Sequence, residues 1–118
     1  MAPGGALVTG PRRGDIYWAD LDPVRGQEQG GRRPVLVLSH DLFNTRSRTV
    51  IAMAITSQPQ RAPYPLTLRL PEGVLPRTSC VKVSQVRTLA LDRLEGPVAR
   101  LDEEALGLVV QGLQQLIA

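Results

Sequence analysis

Two adjacent arginines, Arg32 and Arg33, follow a polar, glycine-rich loop and stand directly before a proline and an apolar run. The loop reads RGQEQGG, and the run after Pro34 reads VLVLS. A guanidinium presents a planar fork of donors that grips a phosphate through two bonds. Because Pro34 restricts the backbone of the residue before it, Arg33 stands at a rigid point. The pattern indicates a phosphate-binding site, and the simpler alternative is a solvated pair at a strand start.

The charge composition is compatible with a nucleic-acid partner. The formal net charge is +3, and Lys82 is the one lysine among 14 basic residues, the others being arginine. Arginine is the residue that suits bidentate recognition of phosphate. Codon bias in a GC-rich genome would give the same preference, so composition alone does not decide between the two explanations.

Several classes of site and compartment are disfavoured by what the sequence lacks. Cys80 is the sole cysteine, which rules out an intramolecular disulfide and suits a reducing compartment, so we expect a cytoplasmic protein. His40 is the sole histidine and has no metal-ligand spacing around it, so no metal or cofactor is expected. A mechanism that uses two histidines is excluded. No apolar run reaches membrane-spanning length, and no membrane association is expected.

The 118 residues fit one compact domain. Residues 1–12 are rich in Gly and Pro, and we expect them to be a disordered leader outside the fold. Residues 13–118 then form the folded domain.

Five segments have the composition or the alternation of strands, namely GDIYWADL, VLVLS, TVIAMAIT (Thr49 to Thr56), LTLRL and TSCVKVSQVRTL. The segment HDLFN is expected to form a turn or a short helical step ending at Asn44, and DRLEGPVARL a turn-rich connection. These segments predict a mainly β fold, a small barrel or a half-open sheet roll.

The C-terminal segment is the one convincing helix. Asp102 is a suitable N-cap, and Glu103 and Glu104 suit the positive end of the helix. Gly107 and Gly112 each weaken the helix by about 1 kcal/mol, so packing must stabilise it. The residues at helical spacing on its apolar face are Leu106, Val109, Val110, Leu113, Leu116 and Ile117.

Four motifs together resemble the MazF/PemK family of toxin endoribonucleases. They are RGD, G-x-E-Q-G-G-x-R-P, T-S-Q and Q-V-R-T, and the similarity runs from about Arg13 to the end of the chain. The resemblance implies a small SH3-like barrel of the MazF/PemK/CcdB-like kind that forms a homodimer. It also implies metal-independent cleavage of single-stranded RNA, such as mRNA, at a short sequence, with 2′,3′-cyclic phosphate and 5′-hydroxyl products. An acidic antitoxin protein is the expected inhibitor.

The catalytic pair implied by the resemblance is Arg33 and Thr56. RNA cleavage through the 2′-hydroxyl passes a five-coordinate phosphorus with extra negative charge, and fixed donors stabilise that charge. Arg33 supplies two donors, and Thr56 supplies a short, stiff hydroxyl at a strand end. Because arginine stays protonated, it is a poor base. The acceptor of the 2′-hydroxyl proton is therefore left open among Glu28, Thr56 and a bound water.

Further polar residues of the same motifs are candidates for RNA binding, because such groups read the edges of splayed bases. Two positions depart from the family pattern: Ser84 stands where an acidic residue is expected, and Gln27 where a small one is expected. Both departures fall on base-reading positions, so the target sequence is not predicted. The RNA-binding candidates are Gln27, Glu28, Gln29, Arg32, Asn44, Gln58 and Gln85.

Two other functions fit the same class of fold. One is an RNA-binding barrel that does not cleave, and the other is a CcdB-like toxin that poisons gyrase. The loop motif together with the downstream T-S-Q favours the endoribonuclease. A homodimer is expected because the terminal helix offers an apolar stripe, and because VIAMAIT offers more apolar surface than a thin barrel covers.

Overall fold

Six strands and two helices form the part of the chain that the computed structural model describes, which is residues 10–22, 25–26, 28 and 30–118. Most of the predicted leader, residues 1–9, and the predicted site residues Gln27 and Gln29 lie outside this part. The elements are β1 (Asp15–Asp20), β2 (Arg32–Val37), α1 (Asp41–Ser47), β3 (Thr49–Thr56), β4 (Thr67–Arg69), β5 (Cys80–Ala90), β6 (Leu94–Arg100) and α2 (Glu103–Ile117).

The strands form one antiparallel sheet in the order β4-β5-β3-β2-β1-β6. A single 3-10 turn, Leu91–Arg93, joins β5 to β6, although three other strands separate them in the sheet. Such a short connection requires the sheet to curl until its two sides approach each other. The result is an open, barrel-like sheet, which agrees with the predicted small barrel or half-open roll.

Both faces of the central strands are buried, because side chains alternate between the faces of a strand. This explains why VLVLS and VIAMAIT are apolar without alternation. On one face, α2 covers a cluster that includes Ile16, Leu36, Leu38, Met53, Ile55, Val81, Val83, Leu106 and Val109. On the other face, the interior of the curled sheet holds Tyr17, Ala19, Leu21, Val35, Val37, Val50, Ala52, Ala54 and Leu89.

Strand β6 was not predicted, because its Gly and Pro indicated turns. It lies at the edge of the sheet, where Pro97 is tolerated although it has no N–H to donate. The β1–β6 pairing is irregular between Ile16 and Trp18. Gly96 lies at this bulge with a φ of +141°, and a Cβ there would be 2.9 Å from the Val98 nitrogen. The sequence signals for a turn therefore mark a bulge in an edge strand.

The chain around α1 differs from its prediction at two boundaries. The helix continues beyond Asn44 to Ser47. The Asn44 amide donates to the Pro11 carbonyl at 3.0 Å, and the Arg12 amide donates to Asp15 at 2.9 Å. Pro11 and Arg12, which the sequence assigned to the leader, are thus bonded to the folded chain.

The predicted C-terminal helix is confirmed, including its cap, where the Asp102 carboxylate accepts from the Ala105 amide at 2.8 Å. Its apolar face is only partly covered: Leu106 and Val109 are buried, whereas Ile117 is 74% exposed. Neither described helix is long and apolar enough to cross a membrane.

Candidate active site

Arg33 lies near the start of β2, where its backbone pairs with Ala19 of β1. Its Nε donates to the Gly30 carbonyl at 2.7 Å, and the side chain is half-buried. Nε is one of five N–H donors in a guanidinium, so this bond orients the group and by itself leaves capacity for two phosphate oxygens. The polar loop and the rigid strand start thus act together to position Arg33.

Thr56 ends β3 on the same face of the sheet as Arg33. Val35 pairs with Ala54 across β2 and β3, and residues two apart along a strand share a face. Arg33 lies two residues before Val35, and Thr56 lies two residues after Ala54. Because the strands are antiparallel, both steps lead in the same direction, and Arg33 and Thr56 are therefore neighbours in a cross-strand row. Thr56 is 2% exposed, and its hydroxyl oxygen accepts from the Gln58 amide at 3.1 Å. The structure thus brings the predicted catalytic pair to one end of the two central strands.

A cleft of about 290 Å³ opens at this end of the sheet, and Arg33 is part of its wall. Three of its lining residues are arginines, and none of the described lining residues is acidic. An anion in the cleft would meet a positive field over an apolar floor. The lining residues are Trp18, Arg32, Arg33, Pro34, Ile55, Ser57, Leu75, Pro76, Arg77 and Ser79.

Arg32 lines the same cleft, and its guanidinium contacts two other side chains of the protein surface. Its guanidinium lies 5.3 Å from the centre of the Trp18 ring and forms an ion pair with Glu95 of β6. Arg32 is thus placed as predicted beside Arg33, in a cation–π contact that the sequence did not indicate.

Gln58 lies in a second cleft, of about 510 Å³, which shares Ser57 with the first. The Gln58 carbonyl accepts from the Gln60 side chain at 3.0 Å. Tyr64 and Arg69 also line this cleft. Neutral polar groups, one aromatic ring and one arginine therefore continue the surface beyond the arginine-lined cleft.

Glu28 and Gln85 meet in a third cleft, of about 380 Å³, although 56 positions separate them in the numbered chain. Glu28 accepts from the Arg25 amide at 2.8 Å, which closes a tight turn in the loop. Ser84, where the family pattern has an acidic residue, lines this cleft as well. The third cleft therefore contains two predicted RNA-binding residues and one departure from the pattern.

Asn44 does not join these clefts. It is 1% exposed, its amide donates to the carbonyls of Ser39 and Pro11, each at 3.0 Å, and its oxygen accepts from the Ser39 hydroxyl. These bonds use the polar atoms of the side chain to hold α1 against Ser39, which follows β2, and against Pro11. In this structure Asn44 has a structural role, and its contact with RNA stays a prediction.

Sequence reasoning missed Trp18, Arg77 and Ser79 as lining residues of the arginine-lined cleft. Trp18 belongs to the predicted strand GDIYWADL but to none of the four motifs, and it is 36% exposed. Arg77 lies in a connection that has no motif. Among the described residues, no three His, Cys, Asp or Glu side chains are grouped so that they could hold a metal ion.

Comparison with known proteins identifies the family. A family model described as PemK-like, MazF-like toxin of type II toxin-antitoxin system matches residues 12–117. Endoribonuclease EndoA of Bacillus subtilis (strain 168) is 41% identical over 109 residues, which cover 91% of this chain and 94% of that relative. The chain therefore belongs to the PemK-like, MazF-like toxin family, and the predicted family is confirmed. The predicted enzyme class, endoribonuclease, agrees with the name of this relative.

Solved structures give the same answer for the fold. Crystal structures from Deinococcus radiodurans of MazF (Form-I) and of MazE-MazF (Form-II) are each 31% identical to this chain. The first has a TM-score of 0.82 and covers 92% of this chain and 96% of its own. The second has a TM-score of 0.75, with coverages of 91% and 95%. The predicted fold class, mainly β with a C-terminal helix in a small barrel, is confirmed.

Proposed function

We propose that this toxin is an endoribonuclease that cleaves single-stranded RNA, such as mRNA, at a short sequence, with Arg33 and Thr56 at the scissile phosphate. One observation carries the proposal: the two residues are neighbours in a cross-strand row, and Arg33 lines a cleft with two further arginines. Membership of the toxin family and the name of the EndoA relative support the activity.

The proposed chemistry forms one bond to phosphorus and breaks another. The 2′-oxygen attacks the adjacent phosphorus, the bond to the 5′-oxygen breaks, and the products carry a 2′,3′-cyclic phosphate and a 5′-hydroxyl. The 2′-hydroxyl loses one proton and the leaving 5′-oxygen gains one. Arg33 stabilises the charge of the five-coordinate phosphorus and can deliver the proton to the leaving oxygen. Glu28 lines a different cleft from Arg33, and Thr56 is 2% exposed, so the acceptor of the first proton is left open among Glu28, Thr56 and a bound water.

We assign base recognition to the second and third clefts. Gln58 in the second cleft, and Glu28 and Gln85 in the third, offer donors and acceptors of the kind that read unstacked bases. Gln27 and Gln29 remain predicted RNA-binding residues on the same loop. Because Gln27 and Ser84 depart from the family pattern, we expect a target sequence different from that of a relative with the usual residues.

The test is incubation of the purified chain with a long mixed RNA in the presence of EDTA. The positive charge at the arginine-lined cleft belongs to side chains, so cleavage is expected to continue undiminished in chelator. The fragments should carry cyclic phosphates, and mapping their 5′ ends gives the target sequence. Activity that disappears in EDTA and returns with magnesium would contradict the metal-independent mechanism. RNA binding without cleavage would favour the non-cleaving alternative.

The proposed partners are a second copy of the chain and an acidic antitoxin. The MazE-MazF crystal structure of a relative supports an antitoxin partner, and the arginine-lined cleft suits a negatively charged segment that excludes RNA. A free thiol at Cys80 is typical of a reducing compartment, so we place the protein in the cytoplasm.

A further inference from the structure

Trp18, Arg32 and Glu95 lie side by side on three neighbouring strands. Trp18 of β1 pairs with Pro34 of β2 on one side and with Glu95 of β6 on the other. Arg32 stands two residues before Pro34 and so shares its face of the sheet. The Arg32 guanidinium spans the row, with the Trp18 ring 5.3 Å away and the Glu95 carboxylate as its ion-pair partner.

The Arg32 guanidinium lies over the ring of Trp18, which is the one tryptophan of the chain and lines the arginine-lined cleft. A flat ring at the edge of a cationic cleft is a surface on which RNA bases stack. In this structure, a cation held on the ring by Glu95 restricts such stacking.

The contacts that hold Arg32 are weak enough to be exchanged. The side chains of Arg32 and Glu95 are 57% and 65% exposed, and exposed ion pairs contribute little because water and salt screen them. An exposed cation–π contact is similarly weak. A phosphate group offers Arg32 a bidentate partner that one carboxylate oxygen does not match. An RNA backbone entering the cleft can therefore compete for Arg32.

We propose that Arg32 and Glu95 form a displaceable cover on Trp18, which an RNA strand opens. In the bound state, an RNA phosphate replaces Glu95 as the partner of Arg32, and a base stacks on the uncovered Trp18 ring. The cover makes binding depend on a phosphate and a base arriving together, which disfavours free phosphate and isolated nucleobases. This inference rests on the proposed function, because it assumes that RNA enters the arginine-lined cleft.

The single tryptophan makes the cover measurable without RNA. Acrylamide quenching of Trp18 fluorescence is expected to increase in Arg32→Ala and, to a smaller extent, in Glu95→Gln. Arg12→Ala is the matched control, since Arg12 is also 57% exposed and ion-paired, with Asp41, but does not line this cleft. Glu72→Gln is the control for the carboxylate, because Glu72 pairs with Arg69. Equal quenching in Arg32→Ala and Arg12→Ala would overturn the proposal.

Binding of a mixed-sequence 2′-O-methyl RNA 20-mer, which lacks the attacking hydroxyl, tests the opening. Wild-type binding should change Trp18 emission saturably, and Glu95→Gln should bind about two- to fivefold more tightly, because Arg32 is released from a weak exposed pair. Arg32→Ala should lower the salt slope of binding by about one, which Arg12→Ala should not do. RNA binding that leaves Trp18 emission unchanged, or no RNA binding at all, would overturn the cover. If these binding and fluorescence results were obtained but the wild-type chain did not cleave unmodified RNA, only the proposed function would be contradicted.

Discussion

Arg33 is oriented by a backbone carbonyl, and this geometry predicts how much its charge contributes. Arg33→Ala is expected to lower the rate of RNA cleavage by about 100-fold or more, because a preorganised donor is lost where charge develops. Arg33→Lys keeps the charge but loses the planar fork and the Nε bond to Gly30, so it should remain strongly impaired. Initial rates of cleavage of one defined RNA give both values.

The control for Arg33 is Arg12→Ala, which removes the same charge from a position outside the arginine-lined cleft. It should leave cleavage close to the wild-type rate. A native circular-dichroism spectrum in Arg33→Ala, together with near-normal turnover, would show that the site is assigned to the wrong residue.

The Thr56 hydroxyl has a structural and a proposed chemical role, and two substitutions separate them. Thr56→Ser keeps the hydroxyl and should keep most of the activity. Thr56→Val has nearly the same shape but lacks the hydroxyl that accepts from the Gln58 amide, so it should lose activity and about 1 kcal/mol of unfolding free energy. Cleavage rates and urea denaturation measure the two effects. Full activity in Thr56→Val would exclude Thr56 from catalysis.

At the residue scale, sequence motifs predicted the residues that stand at element ends and missed those that the fold brings in from elsewhere. Arg33 was proposed because a motif and Pro34 mark it. Trp18 and Arg77 reach the cleft only through the pairing of β1 with β2 and the path of residues 75–79. Asn44 looked like a polar loop residue, and only its burial shows that its amide holds α1 in place.

At the element scale, the buried strands were predictable because a short uninterrupted apolar run is typical of a strand that is buried on both faces. TVIAMAIT matches β3 at both ends. Strand β6 was not predictable in this way, since an edge strand with little burial carries no apolar pattern and Gly96–Pro97 indicates a turn. Local propensity is overridden there by pairing with β1, which a single sequence does not reveal.

The two glycines of α2 provide a matched test of how this helix is held. A Cβ at Gly107 would meet nothing within 4 Å, whereas one at Gly112 would lie 3.2 Å from the Tyr64 ring and 3.3 Å from the Pro65 carbonyl oxygen. Gly107→Ala should therefore gain up to about 1 kcal/mol of unfolding free energy from helix propensity. Gly112→Ala should gain less or lose stability, because Tyr64–Pro65 must move.

Thermal and urea denaturation of the two alanine variants measure this difference. If Gly112→Ala were stabilised as much as Gly107→Ala, the close packing of α2 on Tyr64–Pro65 would not limit the position of the helix. The Tyr64 hydroxyl, which donates to the Leu108 carbonyl at 2.8 Å, would then be the remaining link between them.

At the scale of the whole molecule, a homodimer is expected. The sequence offered two reasons, the apolar stripe of the terminal helix and the surface of VIAMAIT, and only the first applies to the structure. VIAMAIT is covered within a single chain, so it offers no surface to a partner. Helix α2 does offer apolar surface, since Leu108 in its middle and Leu116 and Ile117 at its end are exposed. Light scattering should give a dimer mass, and Ile117→Glu should shift it toward monomer. A wild-type monomer at micromolar concentration that still cleaves RNA would contradict the expectation.

Strands β2 and β3 lie in the middle of the sheet, and this position limits how readily the geometry of the candidate site changes. Both strands are hydrogen-bonded on both sides, so they separate from their neighbours only when most of the molecule opens. Arg33 and Thr56, at the ends of these strands, are therefore expected to keep their spacing during small fluctuations. The two residues proposed for catalysis are thus expected to lose their relative position only when the sheet itself opens.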